Sequence, residues 1–333
     1  MSAGIPSTKA TTASAGLPAS PSAVAPLPEE MQWAHRWVTA KLEGAAPPPG
    51  EAEDGLDAEP LFSFVYDGQP SSACLQGWAL TRQVRDLDAH RVEHTLTYRD
   101  PATGLTACCV GVAWKAWPVV EWTVYLRNGG SADTPVVESL QALDTRLGRG
   151  EQGESLLHHH CGDDCTIDAF APRQTVLGPG ATAHFAAARG RPTSEAWPYF
   201  NLERPAEGRG VIFVVGWPGQ WACTLTRDSG TGLRVCAGQE LTRFRLRPGE
   251  EVRTPLIALL LYRGSWLRAQ NLWRRWMLEH NLPKDHGRPL APKMGAASVQ
   301  YCAFNSTQEG DLEFIRCFLD KGKPNGPQNR PEL

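Results

Sequence analysis

The sequence predicts a mainly β protein: a large antiparallel β-sandwich, then a linker helix, then the first βα unit of an incomplete (β/α)8 barrel. Three observations predict it. Short apolar runs alternate with turn signals from about residue 61 to residue 261, and about ten strands with almost no helix between them must close as two packed sheets or as a barrel. A helical repeat replaces the alternation over residues 265–282. The 40 residues 294–333 then hold one strand and one helix, where an eightfold barrel needs roughly 250 residues.

Each element has its reason. Residues 1–28 are mostly Ala, Ser, Thr and Pro with one lysine, which is too little apolar area to offset the entropy of ordering and no core for a secretory signal, so they predict a disordered leader. Pro28-Glu29-Glu30 opens a helix that puts Trp33 and Trp37 one turn apart, with Val38 and Leu42 on the same side, until Gly44 and the prolines 47–49 end it. The sandwich is drawn over residues 29–262, with strands at 61–66, 92–98, 105–114, 119–126 and 136–143 and further strands to residue 261. Asn128-Gly129-Gly130, Asp228-Ser229-Gly230 and Arg247-Pro248-Gly249 supply the positive or fixed φ of tight turns.

Residues 263–293 are the linker: Ser265 is a candidate N-cap, and Leu267, Ala269, Leu272, Trp273, Trp276 and Met277 repeat at helical spacing up to Pro283. Residues 294–333 are the start of the barrel, with a buried strand at 296–303 and a helix carrying Leu312, Ile315, Phe318 and Leu319. Residues 323–333 are polar and cannot form the next apolar strand, so the barrel is expected to be cut off there.

Composition narrows the function. A formal charge of -3 from 33 basic and 36 acidic residues, with no long basic run, gives no electrostatic footprint for nucleic acid. The apolar run at 256–261 is far short of a membrane span. Nine cysteines without regular spacing read as reduced thiols of a cytoplasmic protein. Cys108-Cys109 in a strand face opposite ways, one into the core. Neither a GxxxxGK phosphate loop nor a GxSxG elbow occurs, which argues against nucleotide chemistry, serine hydrolysis and any bound cofactor. Twelve tryptophans against six tyrosines leave two uses open, since exposed indoles stack on sugar faces and buried ones build cores.

Two clusters carry candidate chemistry. His158-His159-His160-Cys161-Gly162-Asp163-Asp164-Cys165 is dense in metal-ligating types but lacks the second, separated doublet of a closed zinc site. It reads as a polar loop between strands, with Asp168 and Phe170 beginning the next strand and no metal. Arg189 to Asn201 combines guanidinium, hydroxyl, amide and aromatic groups in a segment too rich in proline for a regular strand, which is the inventory of a sugar-contacting loop.

Phe62-Ser63-Phe64-Val65-Tyr66-Asp67-Gly68, Trp117-Pro118-Val119-Val120-Glu121-Trp122, Gly216-Trp217-Pro218-Gly219-Gln220-Trp221 and Leu246-Arg247-Pro248-Gly249-Glu250 resemble the amino-terminal supersandwich of the α-galactosidase-like enzymes of glycoside hydrolase family 36. The resemblance implies an enzyme of sandwich, barrel and small carboxy-terminal β-domain that hydrolyses α-galactosides with retention through two aspartates on later barrel strands. Where such enzymes carry a Trp- and Asp-rich second strand, this sequence has Pro324-Asn325-Gly326, so the fragment is expected to be inactive and to contain no catalytic residue.

The resemblance also makes Arg191, Ser194, Trp197 and Asn201 candidates for substrate contact from the sandwich. Tyr301, Phe304 and Asn305 join them at the carboxy-terminal end of the first barrel strand, the face where such barrels build their sites. Glu309 and Asp311 sit at a helix start and read as helix-end charges. The expected partner of the complete enzyme is an α-galactoside, with no nucleic acid and no membrane, and with homo-oligomers formed through the sandwich. The alternative is a non-catalytic carbohydrate-binding or scaffolding β-sandwich protein.

Overall fold

Period-two alternation builds most of the molecule. The computed structural model describes residues 24–45, 59–148, 153–290 and 307–322. In chain order the strands begin with β1 (Ser63–Tyr66), β2 (Gln69–Pro70), β3 (Ala79–Asp86), β4 (Arg91–Arg99), β5 (Leu105–Trp114), β6 (Val119–Asn128) and β7 (Val137–Gly148). They continue with β8 (Ser155–His160), β9 (Pro172–Leu177), β10 (Thr182–Ala186), β11 (Tyr199–Arg204), β12 (Arg209–Gly216), β13 (Trp221–Arg227) and β14 (Gly232–Gln239). Then come β15 (Arg243–Phe244), β16 (Glu251–Arg253), β17 (Leu256–Arg263), β18 (Lys284–Asp285) and β19 (Arg288–Pro289).

Two large antiparallel sheets result. One has ten strands in the order β3-β4-β5-β6-β17-β12-β11-β8-β9, with β16 on β6; the other has seven in the order β10-β13-β14-β7-β1-β2, with β15 on β7. The chain crosses from one sheet to the other after β2, β6, β7, β9, β10, β12 and β15, so neither sheet is completed without its partner. Between them lies one apolar core, in which Phe200 stacks on Phe213 at 5.0 Å and meets Trp221 edge-on at 6.0 Å.

Gly130 shows how tightly the connections fit. A β-carbon there would collide with the carbonyl of Thr103, so the turn after β6 demands glycine. The fully buried Asn128 beside it donates to the carbonyls of Ala132 and Leu246, each at 2.8 Å, and accepts from Gly130 N at 2.8 Å.

Helix α1 (Pro28–Val38) begins where predicted, with proline at its first turn, and Trp33, Trp37 and Val38 join the sandwich core. Glu30 is fully buried. Its Oε2 accepts from Leu27 N at 2.7 Å, capping the helix, and its Oε1 accepts from Arg263 N at 2.7 Å and from the Arg268 guanidinium at 2.5 Å. The carbonyls of Val24 and Ala25 accept from Arg275 and Arg268. Hydrogen-bonded structure therefore starts before residue 28, the expected end of the leader; residues 1–23 lie outside the described residues.

After the short α2 (Ser71–Cys74), the next long helix is α3 (Trp266–Trp276), as the sequence predicts. The chain divides into the units Met1–Trp276 and Met277–Leu333, and α3 lies in the same unit as the sandwich. The reason is packing: Trp276 is 1% exposed and meets Trp114 of β5 edge-on at 5.7 Å, while Trp273 meets Tyr199 of β11 at 5.9 Å.

In the second unit, a wide helical turn Met277–Asn281 precedes the β18–β19 hairpin, which turns through His286 and Gly287 at positive φ. Helix α4 (Gln308–Gly322) covers the predicted helix, and the hydroxyl of Thr307 accepts from Gly310 N at 3.1 Å to cap it. Glu309 and Asp311 lie in its first turn. The predicted strand at 296–303 and the polar segment 323–333 lie outside the described residues.

Candidate functional site

The candidate loop is built by two connections that interlock at one end of the sandwich. One, residues 161–171, joins β8 to β9; the other, residues 187–198, joins β10 to β11. Their backbones pair directly: Gly162 N donates to Glu195 O at 2.9 Å, Asp163 N to Thr193 O at 2.5 Å and Trp197 N to His160 O at 3.2 Å. Asp164 clamps them, its Oδ1 accepting from Arg189 at 3.1 Å and its Oδ2 from Glu195 N at 3.2 Å. Arg189 and Glu195 both hold positive φ, a strained state that such fixed partners can maintain. From the other side, the Gln220 side chain donates to Ala187 O and accepts from Gly190 N at 3.0 Å, and Trp221 Nε1 donates to Pro192 O at 2.7 Å.

This framework sorts the predicted residues. Arg191 is exposed at the tip, where its amide donates to Ala188 O at 3.0 Å. Trp197 is half-buried and meets Phe170 at 5.0 Å with the rings perpendicular. Ser194 lies beneath the loop, fully buried, with no hydrogen-bond partner for its hydroxyl, and its backbone presses so closely on Gly162 that a β-carbon there would stand 2.7 Å from the Ser194 carbonyl carbon. Asn201 is fully buried in β11, where its Oδ1 accepts from the Tyr262 hydroxyl at 2.7 Å and its Nδ2 donates to Trp266 O at 3.4 Å. The structure thus brings Arg191 and Trp197 to the surface and commits Ser194 and Asn201 to the interior. Tyr301, Phe304 and Asn305 lie outside the described residues.

The histidine run belongs to β8 and not to the loop, and alternation sends it both ways. His158 lies 2.7 Å from Glu203 through Nε2 and stacks on Trp266 at 4.7 Å; Gln174 donates to its Nδ1 at 3.2 Å, which makes Nε2 the proton-bearing atom toward Glu203. The other oxygen of Glu203 accepts from Trp266 N at 3.1 Å and so caps α3. His159 faces the opposite way, toward Phe185 at 4.7 Å. Burial, together with the neighbouring imidazoles, holds His159 and His160 below the usual histidine range.

Among the described residues no three His, Cys, Asp or Glu side chains are grouped to hold a metal. The strand after the run starts at Pro172, not at Asp168 or Phe170, because Ala169 N to Thr166 O and Ala171 N to Asp168 O make turns and Phe170 has positive φ. Asp164 and Glu203 were not singled out as positioning residues in the sequence. The Asp-Asp pair beside Gly162 was the only signal for the first, and Glu203 gave none.

The tryptophans answer the compositional question. Eight of the twelve, including Trp33, Trp122 and Trp221, are buried, so packing is the task of most, and four, Trp197 among them, are half-buried. Cys109 is buried with its thiol pushed up by burial, while Cys108 is half-buried, as their opposite faces require.

No family model matches the chain, and no curated protein matches it. Solved structures do. The chain is similar to a variant of the GH36 α-galactosidase AgaA of Geobacillus stearothermophilus in complex with raffinose (14% identity, 79% of this chain and 38% of that one, TM-score 0.59). It is also similar to an AgaA variant in complex with stachyose (13%, 95% and 45%, TM-score 0.56) and to the α-galactosidase of Lactobacillus brevis (15%, 66% and 31%, TM-score 0.53). At these identities the likeness is one of fold, the fold that the motifs of the sequence resemble. The chain spans less than half the length of each of these structures.

Proposed function

We propose that this chain is the sandwich-bearing part of a retaining α-galactosidase-like glycoside hydrolase, with the loop 187–198 turned toward the sugar. The observation that carries the reading is the fold, shared over 66–95% of the chain with α-galactosidases, two of them solved with raffinose or stachyose. The loop supports it: Arg191 offers charge-assisted donors and Trp197 an aromatic face, and the Asp164 and Gln220 contacts hold both before any ligand arrives, which lowers the ordering cost of binding. In this reading Ser194 and Asn201 stiffen the wall from behind, and Tyr301, Phe304 and Asn305 are separate candidates for sugar contact.

In this reading the two carboxyl groups of the reaction, about 5 Å apart in a retaining enzyme, come from later barrel strands of a hydrolase of the neighbours' full length. The rest of the proposal is a cytoplasmic protein, in keeping with the free thiols of the described cysteines, with oligomers formed through the sandwich and no nucleic-acid or membrane partner. Among the described residues no helix is long and apolar enough to cross a membrane.

Release of an aryl group from an aryl α-galactoside tests the division of labour. The purified chain is expected to give none above background; turnover that survives purification and is abolished by replacing one of its own carboxylates would overturn it. In a hydrolase of its neighbours' full length, Trp197→Ala should weaken sugar binding by on the order of 1 kcal/mol, read as a raised KM, with the melting temperature nearly unchanged. Normal kinetics with a lowered melting temperature would make the loop a docking element instead.

A further inference from the structure

Against the outer face of the seven-stranded sheet lies a cup of mixed lining, with polar side chains of that face on its floor and Phe62, Phe64, Leu75, Leu80 and Tyr98 on its apolar side. Its volume is about 1180 Å³, larger than the roughly 300–1,000 Å³ of ordinary small-molecule pockets. Its floor is one row of outward side chains set by strand register: His184 opposite Thr224, Thr224 opposite Cys236, Cys236 opposite Asp144. Ser63 and Gln141, also paired, extend the floor onto β1. Five strands contribute, and four gaps of about 4.8 Å give a floor roughly 19 Å across. That is the length of an extended ligand.

The curvature has a cause in β7. This strand carries an extra residue against β1, between Glu138 and Gln141, and another against β14, between Gln141 and Leu143. Bulges bend the strand that carries them, and here both flank Gln141. The rim beside them is tied down: Ser139 and Leu241 both line the cup at positive φ, Ser139 N donates to Thr242 O at 3.0 Å, and Leu140 N donates to the Thr242 hydroxyl at 2.7 Å.

The chemistry of the floor selects the ligand. Arg82, Arg146 and Arg234 are matched by Glu59, Asp144 and Glu240, so the cup attracts neither anions nor cations. Arg234 donates to Asp144 through Nε and Nη2, at 2.8 and 2.6 Å, and the Cys236 thiol donates to the same carboxylate at 3.3 Å, which leaves these charges already paired. What remains for a ligand is a neutral floor of amide, hydroxyl, imidazole and guanidinium groups beside an apolar side that includes Leu80 and Tyr98, a mixture that suits the hydroxyls and the apolar faces of sugar rings. Planar polar groups of this kind serve adjacent hydroxyls. A peptide adding as a strand would need a free sheet edge, and this is a sheet face.

The geometry points to a second, non-catalytic glycan site: the cup over β10, β13, β14, β7 and β1 holds a neutral oligosaccharide or polysaccharide chain, with Gln141, Arg146 and His184 among its contacts. The inference does not depend on the hydrolase reading, because it uses no residue of the 187–198 loop.

Retardation of the purified chain in native gels containing soluble galactomannan, mannan or β-glucan tests it. At least one polysaccharide should retard the chain, the double variant Gln141→Ala, Arg146→Ala should lower the apparent affinity about tenfold, and Thr226→Ala, on the same sheet face but outside the hollow, should leave it unchanged. Thermal unfolding of the same samples shows that the variants are folded; should the double variant unfold early, His184→Ala carries the same test.

No retardation in any gel, or equal retardation of wild type and cup variants, overturns the proposal. Loss on Trp197→Ala alone overturns it too, by moving the sugar to the loop. Sedimentation that shows a wild-type dimer broken by the cup variants would make this face a contact between copies and overturn it likewise.

Discussion

The outer faces of the two sheets are made by the same kind of strand and have opposite fates. In the ten-stranded sheet, β11 is buried at every residue and β17 from Ile257 to Tyr262, because α3 lies over that face with Trp266, Trp273 and Trp276 against His158, Tyr199 and Trp114. In the seven-stranded sheet, β13 alternates buried and open residues, and the open set is Ala222, Thr224 and Thr226. A strand covered on both sides reads as a continuous apolar run, and one covered on a single side reads as alternation. The comparison teaches that Leu256-Ile257-Ala258-Leu259-Leu260-Leu261 was a statement about a helix elsewhere in the chain. It also locates the protein's aromatic wealth on the covered side and its free polar groups on the other.

The strongest way to break this contrast is to remove the cover. Trp276→Ala deletes an indole that is 1% exposed, and should cost about 3–5 kcal/mol of stability in chemical denaturation. A loss below about 1 kcal/mol would mean that α3 is dispensable to the sheet beneath it. Next comes the polar seam under the same helix. Asn201→Ala leaves the Tyr262 hydroxyl, buried and raised in pKa by that burial, without its acceptor, and should cost about 1–3 kcal/mol.

Acid should act on the buried histidines. His94, His159 and His160 are all held below the ordinary value of 6.5, His94 by burial with His35 reinforcing and Glu43 opposing. Below pH 6.5 the unfolded chain takes up protons that the folded one refuses. Stability should therefore be level above that pH and fall as the pH drops beneath it, visible as a declining denaturation midpoint. A midpoint that rises on acidification to pH 5.5 would contradict the assignment. The smallest effect belongs to the open face, where Thr226→Ala should stay within about 0.5 kcal/mol of wild type. A large loss there would show that the face is covered after all.

Much of the fold was written locally. Alternation placed β4 to β7, the Pro-Glu-Glu start and the Trp33–Trp37 spacing placed α1, and the repeat from Leu267 to Trp276 placed α3, since each of these patterns is a property of a few neighbouring residues. The opposite faces of Cys108 and Cys109 followed from the same rule. Less of the site was legible. Arg191 and Trp197 reach the surface in keeping with their types, yet Ser194 and Asn201, polar and placed in a proline-rich stretch, went inside. Nothing within ten residues announces Tyr262, the donor that Asn201 serves across 61 positions of chain.

By itself, then, the sequence determined where α1, α3 and the strands β4 to β7 form, which side of those strands is apolar, and that glycine must stand at turns such as Gly130. Only the tertiary structure decided that α3 packs on the sandwich, that Glu203 both pairs with His158 and caps that helix, that Asp164 fastens two loops together, and that two bulges in β7 flank Gln141 on the floor of the cup. The physical reason is range. Periodicity and turn chemistry act over a few residues, whereas burial, ion pairing and strand register are settled between segments that meet only when the two sheets close.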